Sequence, residues 1–102
     1  MDQAAALKAL ADPVRLQIVA FLHSPKARRC TFADRVCACD LEGLLGLSQP
    51  AVSHHMRLLV AAGLVHAEKN GRWMYYSLDP VAFDNVIAFL RPFSLPSRKA
   101  AA

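Results

Sequence analysis

The pattern of this chain predicts a mainly α fold with a β-hairpin wing, a winged helix-turn-helix that works as a homodimer. Three observations lead there. A short helical stretch, CDLEGLLG, runs through Leu47 and Ser48 into a longer one, QPAVSHHMRLLVAA, ended by Gly63. A short helix, a glycine-containing turn and a second helix form the helix-turn-helix pattern. The period then changes: LVHAEKNGRWMYYSL sets Asn70-Gly71 between two stretches of strand character, the strongest short hairpin signal. Lastly, the closing segment VAFDNVIAFL is apolar at Val81, Val86, Ile87, Phe89 and Leu90, nearly all the way round, and such a helix needs burial on more than one side.

Each element has a local reason. Residues 3–11, QAAALKALA, are rich in helix formers. Asp12-Pro13 supplies an N-cap followed by proline at the first helical position, and VRLQIVAFLH continues to about Ser24-Pro25. Val14, Ile18, Phe21 and Leu22 share one face of that helix. Residues 24–36 read as a polar, basic connection carrying Lys26, Arg28, Arg29 and Arg35. The short helix has Asp40 near its start and Gly46 as its stop. Ser48 caps the long helix, and Asp79-Pro80 opens the last one. Residues 1–95 form one domain, and 96–102, PSRKAAA, read as a disordered tail.

Composition narrows the function. With 55% apolar residues the chain has material for a core, though a domain of 102 residues buries a modest share of its surface and gains by dimerising. Met1 is followed by Asp2, Lys8 breaks the alanine-rich start, and Ile18 to Leu22 is far too short to span a bilayer. A soluble cytoplasmic protein with no membrane partner is expected. A net charge of +4 suits a nucleic-acid partner. All three cysteines, Cys30, Cys37 and Cys39, fall within CTFADRVCAC. In a reducing compartment such a cluster points to a soft-ligand or redox site rather than a disulfide framework.

The long helix divides cleanly. At roughly 100° per residue, Gln49, Pro50, Ser53, His54 and Arg57 share a polar arc, while Val52, His55, Met56, Leu59 and Gly63 occupy the apolar one. A recognition helix needs that division, one side on its own domain and the other in the major groove. Gln suits adenine and Arg suits guanine, and Ser is less selective. Ser48, Gln49, Ser53, His54 and Arg57 are therefore the candidate DNA contacts, with Lys69 and Arg72 at the wing for phosphate or minor-groove contact. His55 is expected to pack in the core. Trp73, Tyr75 and Tyr76 are expected to pack the hairpin.

ALADPVRLQIVAFL, then VCACDLEGLLGLSQPAVSHHMRLLVAAGLV, then KNGRWMYYSL resemble the ArsR/SmtB family of bacterial metalloregulatory repressors, over about residues 5 to 90. The CxCDL, SQPAVSHH and wing motifs point to its arsenic-responsive branch. The resemblance implies a winged-helix homodimer joined through its first and last helices. It implies binding to double-stranded operator DNA with an imperfect inverted repeat, and release when As(III) or Sb(III) arrives as inducer, with no permanent cofactor. The sequence shows no oxyanion or phosphate loop and is mostly taken up by the DNA-binding pattern, so no enzymatic activity is expected. It assigns the metalloid to Cys37 and Cys39. The family's third cysteine, three residues on, is replaced here by Glu42, and Cys30 is expected to supply the third sulfur.

Soft thiolates suit trivalent arsenic. Residues two apart on a regular helix diverge by about 200°, so a shared ligand is expected to unwind or bend the start of the short helix. Arg29 and Arg35 are expected to favour thiolate formation. Alternatives at the same cysteines are a cadmium- or lead-responsive repressor, and a thiol redox or persulfide sensor in which Cys30 and Cys37 join. A zinc site on the last helix has Asp84 but no histidine, and His23 and His66 show no obvious partner.

Overall fold

The computed structural model describes residues 2–25 and 35–97; Lys26, Arg28, Arg29 and Cys30 lie outside the described residues. Within them the order is α1 (Gln3–Leu10), α2 (Pro13–His23), β1 (Val36–Cys37), α3 (Ala38–Leu45), α4 (Gln49–Ala61), β2 (Val65–Asn70), β3 (Trp73–Leu78) and α5 (Pro80–Leu90), followed by a 3-10 turn at Arg91–Ser94.

The helices start where their caps are. Asp12 Oδ1 accepts from the N–H groups of Val14 and Arg15 at 2.8 and 3.2 Å. Ser48 Oγ accepts from Ala51 N at 3.3 Å, and Asp79 Oδ1 from Ala82 N at 3.1 Å. Each satisfies amide donors that the first turn of a helix leaves open. Gly46 ends α3 with φ 64°, a left-handed conformation that costs glycine little, and the chain turns there into α4.

Ala6 and Ala9 of α1, Ile18 and Leu22 of α2, Leu41 of α3, and Val52, Met56 and Leu59 of α4 meet Leu64, Val65 and Tyr76 in one core, which Ala82 and Val86 of α5 close. The buried residues of α4 come from the arc that periodicity assigned to the core. On α5 only part of the apolar surface is covered: Val81, Ile87, Phe89 and Leu90 are exposed, as is Phe93 beyond it.

The wing corrects the sequence reading in three ways. First, among the described residues the sheet has three strands in the order β1-β3-β2, all antiparallel. Val36 pairs with Tyr76 and Cys37 with Tyr75, so the basic connection expected over 24–36 ends in a buried strand. The edge of β3 supplies the hydrogen-bond partners, a non-local cause that two residues cannot announce. Second, Asn70 pairs with Trp73, leaving Gly71-Arg72 as the loop with Gly71 at φ 66°. A loop centred on Asn70-Gly71 would set Lys69 directly opposite Arg72, and like charges there are destabilising; in the observed register Lys69 faces Met74. Third, Tyr75 and Tyr76 are buried as expected, but Trp73 is 45% exposed at the tip, where none of the described elements covers it fully.

Candidate DNA-binding surface and thiol pair

With Val52, Met56 and Leu59 pointing inward, α4 turns Gln49, Pro50, His54 and Arg57 to solvent, with Ser53 partly so. Ser48 stands exposed at its N-terminus. Lys69 and Arg72 are exposed at the wing. A cleft lined by Arg57, Val60, Ala61, Ala67, Met74 and Tyr76 separates α4 from the hairpin. The fold thus brings the predicted contacts of the helix together on one face, with the basic tip beyond the cleft. An exposed polar helix face with a basic hairpin tip beside it is the arrangement that contact with a groove and its flanking phosphates requires.

His55 is half-buried, as expected, and has a specific role in the packing: Arg15 Nη1 donates to its Nδ1 at 3.1 Å. His66 does have a partner, contrary to expectation. Its Nε2 lies 3.2 Å from Asp79 Oδ2, so the base of β2 is tied to the residue that caps α5. The pairing is between residues thirteen apart that the antiparallel hairpin returns to one end, which sequence alone does not reveal.

The thiols sit where β1 becomes α3. Cys37 is fully buried, with φ −74° and ψ 147°; it is the last strand residue and the N-cap of α3 at once. Its Sγ accepts from Cys39 N at 3.4 Å. Cys39 is partly exposed in the first helical turn, and the two sulfurs stand 2.8 Å apart. This removes the premise from which unwinding of the helix start was expected. The 200° divergence holds only if both residues are helical, and Cys37 is extended. Two sulfurs each about 2.3 Å from a common soft centre stand roughly 3.3–3.8 Å apart. A small opening of the pair therefore accommodates such a centre.

Three neighbours connect this site to the rest of the molecule. Burial pushes the Tyr76 hydroxyl above its ordinary range, and the charge of Cys37 adds to it, so the thiol and the wing residue sense each other. Arg35, just before β1, lies 3.2 Å from Glu68 of β2. Asp40, buried in the first turn of α3, has the sign that a helix N-terminus favours. Among the described residues no group of three or more His, Cys, Asp and Glu gathers around one metal-sized point. Cys30, the expected third sulfur, lies outside the described residues.

No helix among the described residues is long and apolar enough to cross a membrane. A family described as a helix-turn-helix domain matches residues 10–68. The arsenical resistance operon repressor of Escherichia coli (strain K12) is 40% identical over 72% of this chain, which spans 56% of that relative's length. The arsenical resistance operon repressor of Staphylococcus xylosus is 39% identical over 78% of this chain and 68% of its own length. Among solved structures, one titled as a possible transcriptional regulator for arsenical resistance has a TM-score of 0.73 and 31% identity, covering 94% of this chain and 88% of its own. Domain, relatives and fold agree: the chain belongs to the ArsR family of helix-turn-helix transcriptional regulators, on its arsenical-resistance branch.

Proposed function

We propose that this protein is an arsenic(III)-responsive repressor that binds operator DNA as a homodimer and releases it when As(III) or Sb(III) binds Cys37 and Cys39. The observation that carries the reading is the convergence of two sulfurs, 2.8 Å apart, at the joint between β1 and α3. Two thiols pass their protons to two hydroxyls of arsenous acid; two As–S bonds form, two As–O bonds break and two waters leave, with no change of oxidation state. Cys30 supplies the third sulfur by the same exchange.

Cys37 belongs to two elements, so the ligand acts on both. It caps α3, which packs on α4, and it pairs with β3 of the wing. Drawing the sulfurs onto one centre replaces the Cys39 N–H···Sγ bond and shifts the supports of both DNA-facing elements together. The ligand favours the weakly binding state by its differential affinity for the two states.

Dimerisation through α1 and α5 is supported by the apolar surface that α5 and the turn after it leave open, with Val81 66% and Phe93 74% exposed. Two copies would present two α4 helices to one face of a duplex, about one turn apart, on an imperfect inverted repeat.

The test is an arsenite titration into reduced protein on a fluorescent operator, for the native chain and Cys30→Ser. Release of the native chain, lost in Cys30→Ser for arsenite but kept for a monosubstituted organoarsenical, is the expected result. Equal release by both removes Cys30 from the site. A native chain indifferent to arsenite defeats the arsenic reading, and cadmium, lead and oxidants are then tried in turn.

A further inference from the structure

We infer that Arg15 and His55 are positioning residues for operator recognition: together they fasten α4, and the exposed His54 beside it, to the ends of α1 and α2. The inference rests on the reading of α4 as the DNA-recognition element.

The need for Arg15 begins in the backbone. A helix leaves its last carbonyls open. The continuation of α1 would offer the Ala9 carbonyl to the N–H of residue 13, but that residue is proline and has none. Arg15 Nε donates to Ala9 O instead, at 2.5 Å. Its Nη1 lies 3.8 Å from Asp12 Oδ2, the carboxylate that caps α2. The same nitrogen donates to His55 Nδ1 at 3.1 Å. The Arg15 side chain is only 12% exposed. One largely buried guanidinium therefore holds the end of α1, the start of α2 and the middle of α4.

The chemistry is directional. Arginine has donors only, so His55 must accept at Nδ1 and carry its proton on Nε2. That fixes the ring plane. His54 packs edge-on against it, with centroids 5.6 Å apart and planes at 61°. His54 is the neighbour that faces solvent on the DNA side. Arg15 thus acts on the recognition surface through His55. Its grip on α1 also relates the angle of α4 to the helix proposed for the dimer contact.

The experiment uses the full chain, with a fluorescent duplex enriched from random DNA by the native protein. The variants are Arg15→Met, His55→Leu and His55→Asn, whose amide oxygen can stand where Nδ1 stood. Operator affinity, its salt dependence and Tm are read for each. In Arg15→Met and His55→Leu, affinity falls about tenfold, the worth of a hydrogen bond to a charged group. His55→Asn restores most of it. The salt slope stays native, because neither residue meets a phosphate; a direct contact would lower it by about one.

Native affinity in His55→Leu overturns the inference, as does a loss in His55→Asn equal to that in His55→Leu. A reduced salt slope also overturns it, by making these residues contacts instead. Separately, nitrogen-15 spectra report the His55 tautomer without DNA: the Nε2–H form is expected in the native chain and a mixture in Arg15→Met. A native chain that enriches no duplex defeats the DNA-binding reading itself, whatever the tautomer.

Discussion

Replacing Cys37 separates two roles carried by one sulfur. Its Sγ caps α3 by accepting from Cys39 N, and it lies 2.8 Å from the sulfur of Cys39 with which it is proposed to hold arsenic. Serine keeps an acceptor at the cap and abolishes the soft ligand; alanine abolishes both. The residue is fully buried, so both variants lose similar packing. They differ by one capping bond, about 1 kcal/mol. For a domain of this size, 1 kcal/mol is roughly 4–8 °C in Tm. Measured at one protein concentration, Cys37→Ser should therefore melt about 4–8 °C above Cys37→Ala.

Both should bind the operator in the absence of arsenite. In the native chain a hundredfold release by arsenite corresponds to about 2.7 kcal/mol of coupling. In either variant fluorescence anisotropy should show no release. Equal melting of Ser and Ala variants would refute the sulfur cap. Native-like release from Cys37→Ser would refute ligation by Cys37.

Other predictions follow from the same geometry. Trp73, the single tryptophan, is 45% exposed beside Arg72, so its emission should be quenched or shifted to the blue on operator binding; an unchanged spectrum would take the wing off the DNA. Ile87→Glu, on the open surface of α5, should give a folded monomer in sedimentation and cost operator affinity about a hundredfold through lost bivalency. The backbone N–H of Arg15, aided by that of Val14, holds the Asp12 carboxyl below the usual carboxylate range. A depressed folded value means the stabilisation is present above the unfolded value and lost as pH falls through the folded one, so native Tm should drop below about pH 4 more steeply than that of Asp12→Asn. Tyr76 is shifted the other way, by burial first and Cys37 second. Its stabilisation is complete below the unfolded value and lost as pH rises through the folded one, so Tyr76→Phe should melt later than the native chain above about pH 10.

The elements legible in the sequence are those with local causes. Asp12-Pro13, Ser48 and Asp79-Pro80 each announce a helix start, because a side chain that reaches its own first turn needs no distant partner. The two faces of α4 were legible too, since the helical period alone sorts Val52, Met56 and Leu59 from Gln49, His54 and Arg57. Asn70-Gly71 located the hairpin but not its loop, because the register also depends on which side chains meet across the strands.

By itself, then, the sequence determined the helices, the wing and the division of α4 into a buried and an exposed face, all encoded by caps, periodicity and turn chemistry. Tertiary structure alone decided how those residues meet. Cys37 became a strand residue because the edge of β3 lies beside it, and that extended backbone lets its sulfur reach that of Cys39. His66 found Asp79, and Arg15 found Ala9 and His55, because hairpin and helix packing bring distant positions within hydrogen-bond reach. Such contacts depend on where whole elements come to rest, and no short window of sequence carries that information.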